Sequence, residues 1–226
     1  MRLNNKIKSW LSFLFGIGVL FVVIVSSVCT IAFDKDFYVS FYEREHLASQ
    51  IGTEPEVLED SIFSLLDYIE GECTEIADVF NEKEKKHMQD VRHLYNGFIF
   101  VRRICIVYMI CTVLIFFWQE RKHMFSYLAK GIVQASVLFL MMMAFLMLWA
   151  FTDFSDFWYR IHMLFFTNDL WILDPATDFM ILICPENMFL NLCLRIVGLS
   201  GLILFCIILW SLWYLFKRST IGFDKK

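Results

Sequence analysis

Three long uncharged runs dominate the chain, from Ser9 to Phe33, from Gly131 to Thr152 and from Ile196 to Phe216. At 1.5 Å of rise per residue each is long enough, as a helix, to cross the roughly 30 Å of a bilayer's hydrocarbon. A fourth apolar stretch, from Gly97 to Trp118, is interrupted near its start by Arg102 and Arg103, and only Ile104 to Gln119 is free of charge. That core reaches roughly 24 Å as a helix, so the two arginines belong near an interface where their stems snorkel. The pattern predicts spans at about 10–33, 97–118, 131–152 and 196–216 within a single membrane domain of residues 1–226. The fold class is an α-helical integral membrane protein: a four-helix transmembrane bundle with a small extracytoplasmic cap and interfacial helices.

The hydrophilic segments have patterns of their own. From Pro55 to Glu70, Leu58, Ile62, Leu65, Leu66 and Ile69 recur at helical spacing, which predicts an amphipathic helix in a segment long enough for two or three helices. A second helical stretch begins near Glu82 and runs through His87 into the second span. Between spans three and four, Phe154, Phe157, Trp158, Ile161, His162, Phe165 and Phe166 form an aromatic stripe typical of an interfacial helix. Phe179 to Cys184 is too short to span and reads as a short strand, a cap segment or a shallow re-entrant piece.

Charge adds orientation. The amino terminus, the loop after span two and the tail hold ten basic residues against two acids, whereas segments 34–96 and 153–195 hold eight against twenty-two. Because cytoplasmic segments retain Lys and Arg, both termini are expected in the cytoplasm, with 34–96 and 153–195 extracytoplasmic. The first run is longer than a signal-peptide core and lacks a cleavage site, so it reads as a retained anchor, and Cys29 as a buried structural cysteine. Seven cysteines without a CxxC pair argue against a zinc ribbon or a disulfide framework, leaving only a Cys73 to Cys184 bridge open.

Chemistry at neutral pH calls for histidine, and four of five lie in the outer segments; His123 lies in the cytoplasmic loop. On a helical wheel His87, Asp90, Val91 and Leu94 share a side, with Lys85 and Arg92 roughly opposite and His93 turned away. His162 lies in the aromatic stripe, six residues before Asn168. Arg102, Arg103, Arg160 and Arg195 near the outer boundary are anchors, or one of them supports an oxyanion or a lipid's polar group. His87, Asp90 and His162 admit a metal-site reading without any compact ligand motif, and no GxSxG elbow is present for a serine hydrolase.

The blocks HMQDVRHLYNG, from His87, and HMLFFTNDLWILDPATDFMILICPENMF, from His162, resemble the bacterial lipoprotein intramolecular transacylases, a family of four-span membrane proteins. The resemblance implies transfer of the sn-2 acyl chain of a lipoprotein's diacylglyceryl-cysteine to its own α-amine, giving a lyso-form lipoprotein. It places the family's two essential histidines at His87 and His162. Asp90 and Asn168 are then expected to orient them, and Trp171, Arg92 and Arg160 are candidates for positioning substrate. No metal and no cofactor are implied. The partners are diacylglyceryl-modified lipoproteins and membrane lipids, not nucleic acid; the location is the bacterial plasma membrane with the site at its outer interface. A non-enzymatic scaffold or sensor, and a metal-dependent lipid hydrolase, are the competing readings. The oligomeric state is not legible in the sequence.

Overall fold

The structure is a computed structural model that describes residues 3–223; Arg2, Asp224, Lys225 and Lys226, counted in the charge asymmetry, lie outside the described residues. Its helices are α1 (Asn5–Ala32), α2 (Lys35–Glu45), α3 (Leu47–Ile51), α4 (Pro55–Glu70), α5 (Glu82–Glu120), α6 (Met124–Thr152), α7 (Phe154–Phe165), α8 (Phe179–Ile183) and α9 (Glu186–Phe223). Four of them, α1, α5, α6 and α9, are long and apolar enough to cross a membrane. Helix α5 has 39 residues and would extend about 58 Å, so its hydrophilic first turns continue past any hydrocarbon core.

The described residues fall into two compact units. The first comprises, of the described residues, 3–28, 99–148 and 196–223. Its surface is inverted relative to a water-soluble protein: Trp118 is 85% exposed, Phe216 70% and Phe145 66%. Such a surface suits lipid, where apolar burial no longer drives helices together and close packing must do so. The α1–α6 crossing is built that way. A Cβ on Gly131 would stand 1.8 Å from the Ser12 carbonyl oxygen, and one on Gly16 would stand 2.3 Å from the Gly131 oxygen. Lys8 on α1 pairs with Glu120 at the end of α5, both largely buried. The Tyr108 hydroxyl donates to the Leu11 carbonyl at 3.0 Å. At the other sequence end, Arg218 reaches the Ser126 hydroxyl and Nδ1 of His123 at 2.6 and 2.7 Å. Gly131→Val is therefore expected to lower the thermal unfolding temperature in detergent by several degrees or prevent folding, whereas Gly198→Ala, with nothing within 4 Å, leaves it unchanged. Equal effects would contradict the close α1–α6 contact.

The second unit comprises residues 29–98 and 149–195 and has an ordinary apolar core, including Phe41, Leu58, Leu65, Phe80, Ile183 and Met188. Each such side chain contributes about 1.5–3 kcal/mol on burial. Helix α4 has the bounds its apolar spacing predicts. Pro55 opens it, and Gly71, at φ 88°, ends it with its N–H donated to the Asp67 and Tyr68 carbonyls. Helix α5 starts on a reciprocal cap: Asn81 Oδ1 accepts from the Lys83 and Glu84 N–H groups, while Glu84 Oε2 accepts from Asn81 N–H at 2.7 Å. Helix α7 starts at Asp153, whose carboxylate accepts from Asp156 N–H. The Phe179 to Cys184 run resolves as the short helix α8 with Cys184 as its C-cap, because its apolar side chains pack into this core. The Cys73 to Cys184 bridge is absent: both are free thiols, Cys73 turned to the Ser64 and Glu75 carbonyls and Cys184 buried in the core.

Candidate active site

A cavity of about 360 Å³ lies inside the second unit. Helix α5 supplies His87, Met88, Val91 and Leu94, α7 supplies Trp158, Ile161 and His162, and α8 supplies Met180 and Ile181 with Cys184 behind them. Phe166, Trp171 and Leu173 come from the loop joining α7 to α8. The wall is predominantly apolar, with the two imidazoles as its main titratable groups.

The rings of His87 and His162 have centroids 6.2 Å apart and are tilted by 36°. Nδ1 of His162 lies 2.8 Å from the Trp158 carbonyl oxygen, one turn back on α7. A carbonyl only accepts, so Nδ1 carries the proton and donates it, leaving Nε2 with a free lone pair. The ring is held laterally by Trp171, stacked at 5.0 Å, and by Trp158, edge-on at 4.8 Å. His87 is 7% exposed, packs edge-on against Phe166 at 5.2 Å, and its buried Nδ1 has no hydrogen-bond partner.

Burial dominates the acid–base behaviour of both. It disfavours the imidazolium of His87, and His162 adds repulsion; Asp90 only partly offsets this, so the pKa falls to about 4. Burial also lowers His162, against a small opposing contribution from the Trp158 carbonyl. Both rings are thus neutral at neutral pH, as a base must be to accept a proton. Burial pushes the Cys184 thiol up to about 12, with Glu84 adding to it, so it is a poor source of thiolate. Cys184→Ala is accordingly expected to leave turnover within about twofold of wild type and to trap no thioester, read by mass spectrometry of the quenched enzyme.

The other sequence candidates separate. Trp171 lines the cavity, with its indole nitrogen buried and without a partner. Asp90 and Asn168 bond to each other at 2.9 Å rather than to an imidazole; it is the Trp158 carbonyl that sets the His162 tautomer. Arg92 lies over the Tyr68 ring at 4.6 Å, beside Gly71 at the end of α4, where a cation suits the helix dipole. Arg160 is 61% exposed and pairs with Asp156 at i,i+4. Neither arginine lines the cavity. Arg195 lies over the Phe37 ring. Among the described residues no group of three His, Cys, Asp or Glu side chains comes together that could hold a metal.

Sequence reasoning missed Glu84, which is 0% exposed and accepts from Met180 N–H through Oε1 at 2.6 Å, fixing α8 against α5 one turn before His87. The Asn-x-x-Glu spacing of Asn81 and Glu84 was the available signal. Asp178, at 3% exposure, was also missed. Burial alone would raise its pKa, but hydrogen bonds from the Asp174 N–H, Lys83 and Asn81 outweigh that and hold it at about 2.

A family model described as lipoprotein intramolecular transacylase Lit matches residues 13–189, which contain every residue of this cavity. The chain belongs to the lipoprotein intramolecular transacylase Lit family. In fold it is similar to the in meso structure of the membrane integral lipoprotein intramolecular transacylase Lit from Bacillus cereus. The identity is 16%, the coverage 96% of this chain and 100% of that chain, and the TM-score 0.76. Two further structures of that Bacillus cereus protein, one with a histidine-to-arginine and one with a histidine-to-alanine mutation, match at 14% identity and a TM-score of 0.74. They cover 96% of this chain, and 95% and 96% of theirs. No curated protein matches the chain by sequence. Lit membership makes the chain an acyltransferase acting on lipoproteins, integral to the membrane through its four spans, and sets aside the scaffold and hydrolase readings.

Proposed function

We propose that the chain moves the sn-2 acyl chain of a diacylglyceryl-modified lipoprotein onto the α-amine of the same amino-terminal cysteine, with His87 and His162 as the catalytic pair. The observation that carries this reading is their convergence in one apolar cavity, with Nε2 of His162 left free by the Nδ1 to Trp158 bond.

The amine attacks the ester carbonyl through a medium-sized ring of N, Cα, Cβ, S, two glyceryl carbons, the ester oxygen and the acyl carbon. Closing such a ring is entropically costly, so holding the substrate folded is a large part of catalysis. His162 Nε2 takes the proton that the attacking nitrogen loses as the N–C bond forms. The acyl C–O bond then breaks, the departing glyceryl oxygen takes a proton from His87, and the proton held on His162 replaces it, so both rings end neutral. One proton leaves nitrogen and one reaches oxygen, so the shift balances without water, cofactor or enzyme nucleophile. The apolar wall keeps water from intercepting the acyl group. Trp171 is the positioning group for substrate; Arg92 and Arg160, bound elsewhere, act on the fold rather than on substrate.

The acidic bias of segments 34–96 and 153–195 supports an extracytoplasmic site in a bacterial plasma membrane, with both termini cytoplasmic. The test is expression in a bacterium lacking lipoprotein amino-acylation, followed by mass spectrometry of a lipoprotein's amino-terminal peptide. The expected product has one ester-linked and one amide-linked chain; a diacylglyceryl cysteine with a free amine would refute the proposal.

A further inference from the structure

The loop from Phe166 to Asp178 forms one wall of the cavity, and it is fastened to the first turn of α5. Lys83 Nζ donates to the Ile172 carbonyl at 2.6 Å and to Asp178 Oδ2 at 2.9 Å. Asn81 Nδ2 donates to Asp178 Oδ1 at 2.8 Å and to the Thr177 carbonyl at 3.3 Å. The Asp174 N–H donates to Asp178 Oδ2 at 2.7 Å, closing the loop on itself. Near the other end of the loop, Asn168 holds Asp90. The Ile172 carbonyl belongs to the residue that follows Trp171, so its bond to Lys83 bears directly on where the indole rests.

We propose that Lys83 is a positioning residue: by gripping the Ile172 carbonyl and the buried Asp178 carboxylate it keeps Trp171 stacked on His162 and keeps water from the imidazole pair. The inference rests on the reading of His162 as the base. Charge-assisted bonds to a carboxylate that stays ionised are the strong kind, and Asp178 keeps its charge far below neutral pH. The charged groups near the pair are Lys83 and Asp90, both on α5. The remaining titratable groups of the cavity wall, Tyr38 on α2 and Cys184 after α8, are driven upward by burial and stay neutral.

Loosening the loop lets water reach His162, which raises its pKa toward the ordinary 6.5 because desolvation is what lowers it. Loss of the Lys83 charge raises His87 in the same direction. A lysine with a purely structural role would give the same fractional loss at every pH.

The experiment compares kcat/KM of wild type, Lys83→Met, Lys83→Arg and Asp178→Asn on one synthetic diacylated lipopeptide across pH, so that the ionisation of the substrate amine cancels in the ratios. Lys83→Met and Asp178→Asn are expected to lose about tenfold to a hundredfold at neutral pH, more at pH near 6 and less at high pH, with Lys83→Arg largely restoring activity. A pH-independent loss in both variants, or no loss in either, overturns the proposal. His162 imidazole titration by NMR in wild type and Lys83→Met reads the same effect without activity. An upward shift supports the latch and an unchanged pKa overturns it, even if wild-type enzyme yields no transacylated product, which would instead sink the function reading.

Discussion

His162→Gln is expected to lower turnover of a diacylated lipopeptide by about 10²–10⁴-fold with little change in KM. A glutamine amide can still donate to the Trp158 carbonyl and can still lie between Trp158 and Trp171, so the wall of the cavity survives the exchange. It has no basic nitrogen, so the proton released by the attacking amine has no acceptor. Residual turnover then measures what folding the substrate into a ring achieves unaided. The wild-type pH profile should agree: the substrate amine must lose its proton to attack, so kcat falls as pH drops through the ordinary α-amine range of about 8. Both histidines are lowered by burial, so no second inflection is expected at the ordinary imidazole pKa of about 6.5, only at more acid pH. Full activity in the glutamine variant, measured by mass spectrometry of the product, would remove His162 from the mechanism.

How far the sequence reaches depends on whether a feature is repeated along the chain or made by distant contacts. The spans are legible because lipid imposes an uninterrupted apolar requirement over some twenty residues. Helix α4 is legible because its five apolar positions keep helical register between Pro55 and Gly71. Helix α2 is not legible although Phe37, Tyr38, Phe41 and Tyr42, all buried, share one face; Lys35, Asp36, Glu43, Arg44 and Glu45 crowd the two ends of a stretch only 11 residues long and mask them. Helix α8 stayed ambiguous because five apolar residues fit any buried conformation, and only the core that receives them decides. For the site, wheel geometry gave the inward face of His87, but the partners lie elsewhere. The His162 tautomer depends on a backbone carbonyl, which no side-chain motif encodes. Arg92 and Arg160 looked available because sequence does not say that Tyr68 and Asp156 already engage them.

The sharpest separation of function from folding is expected at His87. His87→Leu keeps a side chain of similar size against Phe166 while deleting a buried nitrogen that has no partner. An unsatisfied buried polar atom costs about 1–3 kcal/mol, so the variant is expected to unfold at a higher temperature in detergent than wild type. Its advantage should grow on acidification. Folded His87 titrates near 4 and an unfolded histidine near 6.5, so between those values the unfolded chain binds more protons and wild-type stability falls as pH drops; leucine has no such dependence. Activity should move the other way, by about a hundredfold or more, because the departing glyceryl oxygen loses its proton donor. If both rings handle one proton path, the His87→Leu, His162→Gln double variant should be scarcely slower than the worse single variant, since a relay missing one member is already broken. Multiplicative losses in that cycle would mean that the histidines serve separate steps, and a stable, fully active His87→Leu enzyme would leave His162 to act alone.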